Sequence, residues 1–211
     1  MKTTSEGVIK FRLEHHPKAA PDAALSAPLR GWFRVLRALD LLGRDPHRYE
    51  GCAYGNLSRR LARGILVTCT QTSGKRALST EDFALATHWA PLEGRLTAQG
   101  PCPPSSETLT HAMLYDQLPQ ARWVFHVHSP VLWRRASALG LAITDPSAEY
   151  GTPAMARAVA ETLAALGHPP SGLIAMGGHQ DGLLAWGPRP QRPGNLLVAA
   201  LAKALALDTD G

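Results

Sequence analysis

The stretches PSSETLTH at 104–111 and WVFHVHS at 123–129 decide how this chain of 211 residues is read. The second has the pattern of a strand. Trp123, Phe125 and Val127 alternate with Val124, His126 and His128, so the two histidines share one face. Residues two apart in a strand stand about 7 Å apart on the same side. Both imidazoles can then converge on one divalent ion at about 2.0–2.1 Å. The first stretch leads into a helix from about Ser106 to Leu118, with Glu107 in its first turn. The helix dipole favours a carboxylate there, so capping alone would account for Glu107. His111 lies four residues on, on the same helical face.

Further along, GGHQDG at 177–182 sits between two apolar runs, GLIAM and LLAW, that read as strands. Its glycines let the backbone turn sharply and approach closely. His179 offers a third metal ligand, and Asp181 in the same loop competes for that place. Two upstream loops have the chemistry of anion cradles. Gly55-Asn56-Leu57-Ser58 supplies a turn and an amide donor. TQTSGK at 70–75 joins hydroxyls, a glycine and a cation after a strand at 65–69, where exposed N–H groups can bind phosphate. Neither loop fits a P-loop or Rossmann pattern, which disfavours nucleotide binding.

The remaining chain reads as helices interleaved with strands. Residues 1–27 are rich in Pro and Ala and are expected to be irregular, ahead of one domain over 28–211. A helix over about Leu29–Leu42 carries Leu29, Trp32, Phe33, Leu36 and Leu39 on one stripe, with Gly43 as its stop signal. Ser79 to Asp82 has the form of a capping box. Thr152-Pro153 opens a helix that ends before Gly167, and a last helix covers about Asn195–Leu207. Such alternation indicates a layered α/β domain.

Composition sets limits on function. The formal net charge is +5, but the arginines are scattered rather than gathered into the basic stripe of a nucleic-acid face. The N-terminus lacks the apolar region of a signal peptide, and no apolar run reaches the roughly 18 residues of a membrane span. Cys52, Cys69 and Cys102 are an odd number at unrelated spacings. They predict no disulfide framework, so a reducing, cytoplasmic setting is the expectation.

Taken in order, GNLS, TQTSGK, PSSE, HVHS and the loop histidine before an apolar strand resemble the class II aldolase/adducin family, from about Gly31 to Leu207. The resemblance implies a three-layer α/β/α sandwich around a mainly antiparallel or mixed sheet. It implies a divalent metal at His126, His128 and a third histidine, with Glu107 beside it. Zinc is the expected ion, with manganese, iron and cobalt as alternatives. Asn56, Thr72, Ser73, Gly74, Ser105 and Ser106 match the residue types with which the family holds a substrate phosphate. A homotetramer with sites between subunits is also implied. Relatives often carry His-Gly at the third ligand, whereas here the run is His179-Gln180-Asp181-Gly182. A catalytic tyrosine of the aldolases has no clear counterpart, and Tyr150 falls at a structural position.

The function so implied is a carbohydrate-metabolising lyase acting on a small hydroxycarbonyl compound, a sugar or sugar phosphate, through a metal-stabilised enediolate. Glu107 is the expected acid–base group, and glutamate there favours aldolase or dehydratase over epimerase chemistry. Lys75 reads as a phosphate contact. A non-catalytic, adducin-like interaction module is the rival from another class, since fold alone licenses no activity.

Overall fold

The computed structural model describes residues 7–207; residues 1–6 and 208–211, which belong to the two expected segments, lie outside it. The elements in chain order are β1 (Arg12–Pro17), α1 (Ala23–Ala38), β2 (Gly43–Arg44), β3 (Ala53–Tyr54), β4 (Asn56–Leu61), β5 (Gly64–Thr68), β6 (Phe83–Ala90) and β7 (Arg95–Gly100). They continue with α2 (Thr108–Gln117), β8 (Trp123–His128), α3 (Pro130–Arg134), β9 (Ala142–Ile143), α4 (Pro153–Ala165), β10 (Gly172–Ala175), β11 (Gly182–Gly187) and α5 (Gln191–Ala206).

Nine strands form one sheet in the order β1-β7-β6-β5-β4-β8-β11-β10-β9. Only the two edge pairs, β1 with β7 and β10 with β9, run parallel; the inner pairs are antiparallel. The sheet is therefore mixed and mainly antiparallel, as expected. Period-two alternation sends its side chains into two cores. Val124, Leu184 and Trp186 pack with Leu109, Met155 and Val159 beneath α2 and α4. Phe125, Val127, Leu183 and Ala185 pack with Leu29, Phe33, Leu36 and Leu197 beneath α1 and α5. Each fully buried Leu or Phe contributes about 1.5–3 kcal/mol, so two faces of this size hold the three layers together.

The segment expected to be irregular is not so throughout. Arg12–Pro17 forms the edge strand β1, and α1 begins at Ala23 rather than about Leu29. The early start has a local cause. Asp22 caps the helix by accepting from Ala24 N at 2.9 Å. Pro28 is accommodated inside the helix. The Thr152 cap with Pro153 at the first helical position forms as expected, its hydroxyl accepting from Met155 N. The Ser79–Asp82 capping box also forms.

The cysteine expectation is corrected. Cys69, just after β5, and Cys102, just after β7, are joined by a disulfide across 33 positions of sequence, and Cys52 stands outside that pair. Sequence spacing hides the pair because the ends of two strands bring it together, with Cα atoms 6.0 Å apart.

Candidate active site

The central strand β8 delivers both histidines of the HVH run to the α2 side of the sheet. Register places His126 opposite Asn56 of β4 and Leu184 of β11, and His128 opposite Gly182. The loop from β10 to β11 brings His179 over them. It turns against Ala148, and a Cβ at Gly178 would stand 1.9 Å from the Ala148 carbonyl oxygen, so only glycine fits there. Ligand atoms of His126, His128 and His179 lie within 4.8 Å of one another, and all three residues are buried.

The donor chemistry fits a divalent cation. His126 Nδ1 lies 3.0 Å from the Leu183 carbonyl. A carbonyl only accepts, so Nδ1 bears the proton and Nε2 presents its lone pair. That nitrogen lies 3.1 Å from His128 Nε2, a separation two ligands of one ion can share at about 2.0–2.1 Å each. Burial first, and the neighbouring His179 next, push the pKa values of His126 and His128 well below the ordinary histidine value. Both rings are thus neutral at physiological pH, the state in which imidazole binds metal.

Asp181, the rival third ligand, is committed elsewhere. Its Oδ2 accepts from the Tyr49 hydroxyl at 2.7 Å, and the three-histidine cluster does not include it. Tyr49 also meets the His128 ring edge-on, with centroids 4.8 Å apart. Its neighbour Arg48 donates to the Tyr49 hydroxyl and to Asp40. Nothing periodic in the DPHRYEG stretch signals this cluster; left-handed backbone at Tyr49 and Glu50 turns it towards the site.

Glu107 is 1% exposed and stands at the N-cap of α2 without making a side-chain cap. Of the capping account only the favourable helix dipole remains, since the carboxylate makes no cap hydrogen bond. Its Oε2 accepts from the Thr110 hydroxyl at 2.9 Å, and its backbone N–H donates to Ser105 Oγ at 3.2 Å. Oε1 faces the Tyr150–Gly151 turn: a Cβ at Gly151 would stand 3.6 Å from it. Tyr150 in turn stacks on His179 with centroids 4.6 Å apart and planes at 22°. Tyr150, which reads as structural, therefore lies against the triad, and a single turn connects it to Glu107. His111 does not orient Glu107; its Nδ1 lies 2.7 Å from the Ser58 hydroxyl.

The expected anion residues come together through the loops that close the same end of the sheet. Ser73 donates through its hydroxyl to the Gly55 carbonyl, next to Asn56, and Thr72 donates to the Cys69 carbonyl at 2.7 Å. Ser105 N donates to the Thr68 carbonyl at 3.1 Å, and the Cys69–Pro104 bridge and the disulfide tie the two loops further. Ser106 is buried beside Glu107, and Gly74 packs against Arg44. Asn56 is 6% exposed, and its Oδ1 finds no hydrogen-bond partner among the described residues. Lys75 is diverted from this cradle, its ammonium pairing with Asp82 at 2.5 Å. Burial opposes ionisation of Asp82. The Lys75 ammonium and the Ser79 N–H and hydroxyl outweigh it and hold the carboxyl below its ordinary value.

The sequence and the fold match known proteins. The profile of the Class II Aldolase and Adducin N-terminal domain matches residues 45–200, and the chain belongs to that family. It is 36% identical over 89 residues to a methylthioribulose-1-phosphate dehydratase of Sorangium cellulosum (strain So ce56), a stretch covering 41% of this chain and 40% of that protein. Its fold is similar to that of the l-fuculose-1-phosphate aldolase from Thermus thermophilus, at a TM-score of 0.66 and 22% identity, over 90% of this chain and 95% of that one. A sugar-phosphate aldolase from Thermotoga maritima superposes at a TM-score of 0.57 and 13% identity, over 87% and 97% of the two chains. No helix among the described residues is long and apolar enough to cross a membrane.

Proposed function

We propose that this chain is a metal-dependent lyase of the class II aldolase type, acting on a small sugar or sugar phosphate. The observation that carries the reading is the convergence of three buried histidines, His126 and His128 from one strand and His179 from a loop. They would hold a divalent ion, with zinc expected from the all-imidazole set and manganese, iron or cobalt as alternatives. Such an ion supplies Lewis acidity towards a substrate oxygen.

The protein's own groups do the rest. Glu107, held by Thr110, moves a proton at the substrate carbon or hydroxyl beside the carbonyl. The Asn56 amide, whose oxygen is buried and unpaired, is satisfied by a hydroxyl of the substrate. The Thr72 and Ser73 hydroxyls, held by the Cys69 and Gly55 carbonyls, shape a turn whose backbone N–H groups at Ser73 and Gly74 are offered to a phosphate, and Ser105 and Ser106 offer hydroxyls. Burial of Glu107 and the triad keeps bulk water from the proton being moved.

A dehydratase reading is favoured by one observation, the 36% identity to the Sorangium dehydratase. The two differ in products, since aldol cleavage yields two carbonyl-containing fragments and dehydration releases water from one. A homotetramer is part of the proposal, with sites between subunits. The cytoplasmic setting loses its argument from unpaired cysteines, because Cys69 and Cys102 are joined. The adducin-like module is disfavoured by the complete triad.

Elemental analysis of the purified protein tests the reading, with His126→Ala as control. About one divalent ion per chain, lost in the variant, is expected. Absence of metal from the wild type after incubation with zinc or manganese overturns the proposal. Glu107→Gln should keep the metal and lower turnover by about 100-fold or more.

A further inference from the structure

Residues 7–11, ahead of β1, are held at both ends and bring one side chain against Tyr150. The Thr70 hydroxyl donates to the Gly7 carbonyl at 3.3 Å. From Arg12 onward the chain is locked into the sheet by pairing with β7. Between these anchors, Lys10 is delivered to one place. Its Nζ lies 3.3 Å from the centre of the Tyr150 ring and 3.0 Å from Glu149 Oε1. The side chain is only 14% exposed. Beneath it, Tyr150 lies nearly parallel to the His179 ring. Ammonium, phenol and imidazole thus form a column that ends on the third histidine of the triad.

The three histidines reach the site by different routes. His126 and His128 stand on the central strand, and the Leu183 carbonyl sets the His126 ring. His179 comes from a loop, where the backbone constrains ring orientation less than a strand does. A flat aromatic face pressed against it restricts the angles at which its nitrogen can be offered. A cation attracted to the other face of that aromatic ring holds the ring in place.

We infer that Lys10 is a positioning residue for the metal centre. Through cation–π contact with Tyr150 it holds that ring against His179, and so presets the third ligand. The inference rests on the reading of the triad as a metal site and adds to it a residue from outside the matched family segment, which begins at residue 45. The Glu149 carboxylate leaves the column without net excess positive charge near the ion. Groups that orient a metal ligand carry about 10–100-fold in metal affinity, and an effect near the lower end is expected for one acting through a ring.

The test is the zinc dissociation constant of the full chain, from competition with a chromophoric chelator, beside circular dichroism and thermal unfolding of the metal-free proteins. Lys10→Met keeps the length and removes the charge. It should bind zinc about tenfold more weakly with an unchanged metal-free unfolding temperature. Lys10→Arg keeps a cation over the ring and should stay within about threefold of wild type. Glu149→Gln, which breaks the ion pair and leaves the ammonium over the ring, should do the same. A Lys10→Met affinity within about twofold of wild type, or one tighter than wild type, overturns the inference. So does an arginine variant as weak as the methionine one. If Lys10→Met fails to fold, Tyr150→Phe and Tyr150→Leu decide. Phenylalanine keeps the stack and should bind normally, leucine should be about tenfold weaker, and equal values overturn the inference. Wild type that binds zinc alongside a normal Lys10→Met removes this inference alone. Wild type that binds none removes the metal site and this inference with it.

Discussion

His111 is wholly buried in α2, its Nδ1 lies 2.7 Å from the Ser58 hydroxyl, and that hydroxyl lies 2.9 Å from Tyr115 Oη. Desolvation pushes its pKa down to about 3. In the unfolded chain the same imidazole titrates near about 6.5. Between those values the unfolded state binds the extra proton, so stability is full above pH about 6.5 and falls as pH drops towards about 3. The loss is about 1.4 kcal/mol per pH unit from this residue. His126 and His128, also held neutral, act in the same direction. Urea denaturation of the metal-free protein between pH 7 and 5 should therefore give a steep fall, and His111→Gln should make it shallower by about one proton's worth. An unchanged slope would mean that His111 is protonated in the folded state.

At the scale of elements, the loops at the end of β5 and β7 carry most of the proposed anion cradle, and the Cys69–Cys102 disulfide joins them. A cross-link over 33 positions removes about 3–4 kcal/mol of chain entropy from the unfolded state. Cys102→Ser should lower unfolding stability by about 2–4 kcal/mol in non-reducing buffer. The Cys69–Pro104 bridge and the Ser105–Thr68 bond remain in that variant and keep the two loops in register. A chemical-denaturation midpoint equal to that of wild type would show that these backbone bonds suffice. The same loops explain why Lys75 does not serve as the expected phosphate contact. The capping box of Ser79 and Asp82 places a carboxylate within its reach, and a buried anion takes the nearest cation.

For the molecule as a whole, the triad joins strand β8 to the loop between β10 and β11, so an ion bound there would cross-link distant parts of the chain. Binding to the folded state alone adds about 2.7 kcal/mol at a hundredfold excess over the dissociation constant. For a chain of this length that raises the unfolding temperature by about 5–10 °C. Thermal unfolding with zinc against a chelator should reveal the shift, and His126→Ala should abolish it. A shift that survives in the variant would place the ion elsewhere.

What the residues alone determined is local in character. The alternation in WVFHVH decided that both histidines share a face, and the apolar runs around GGHQDG placed His179 in a loop between strands. The Thr152 cap and the Ser79–Asp82 box were legible because caps depend on neighbours three residues away. Tertiary structure alone decided the rest: the choice of His179 over Asp181 as partner of His126 and His128, and the Cys69–Cys102 pair. It also decided the approach of Tyr49 and Tyr150, and the arrival of Lys10 beside Tyr150. Periodicity records which face of an element a side chain takes. In irregular loops no period exists, and contacts across 33 or 139 positions of sequence are settled only when the sheet brings their strands together.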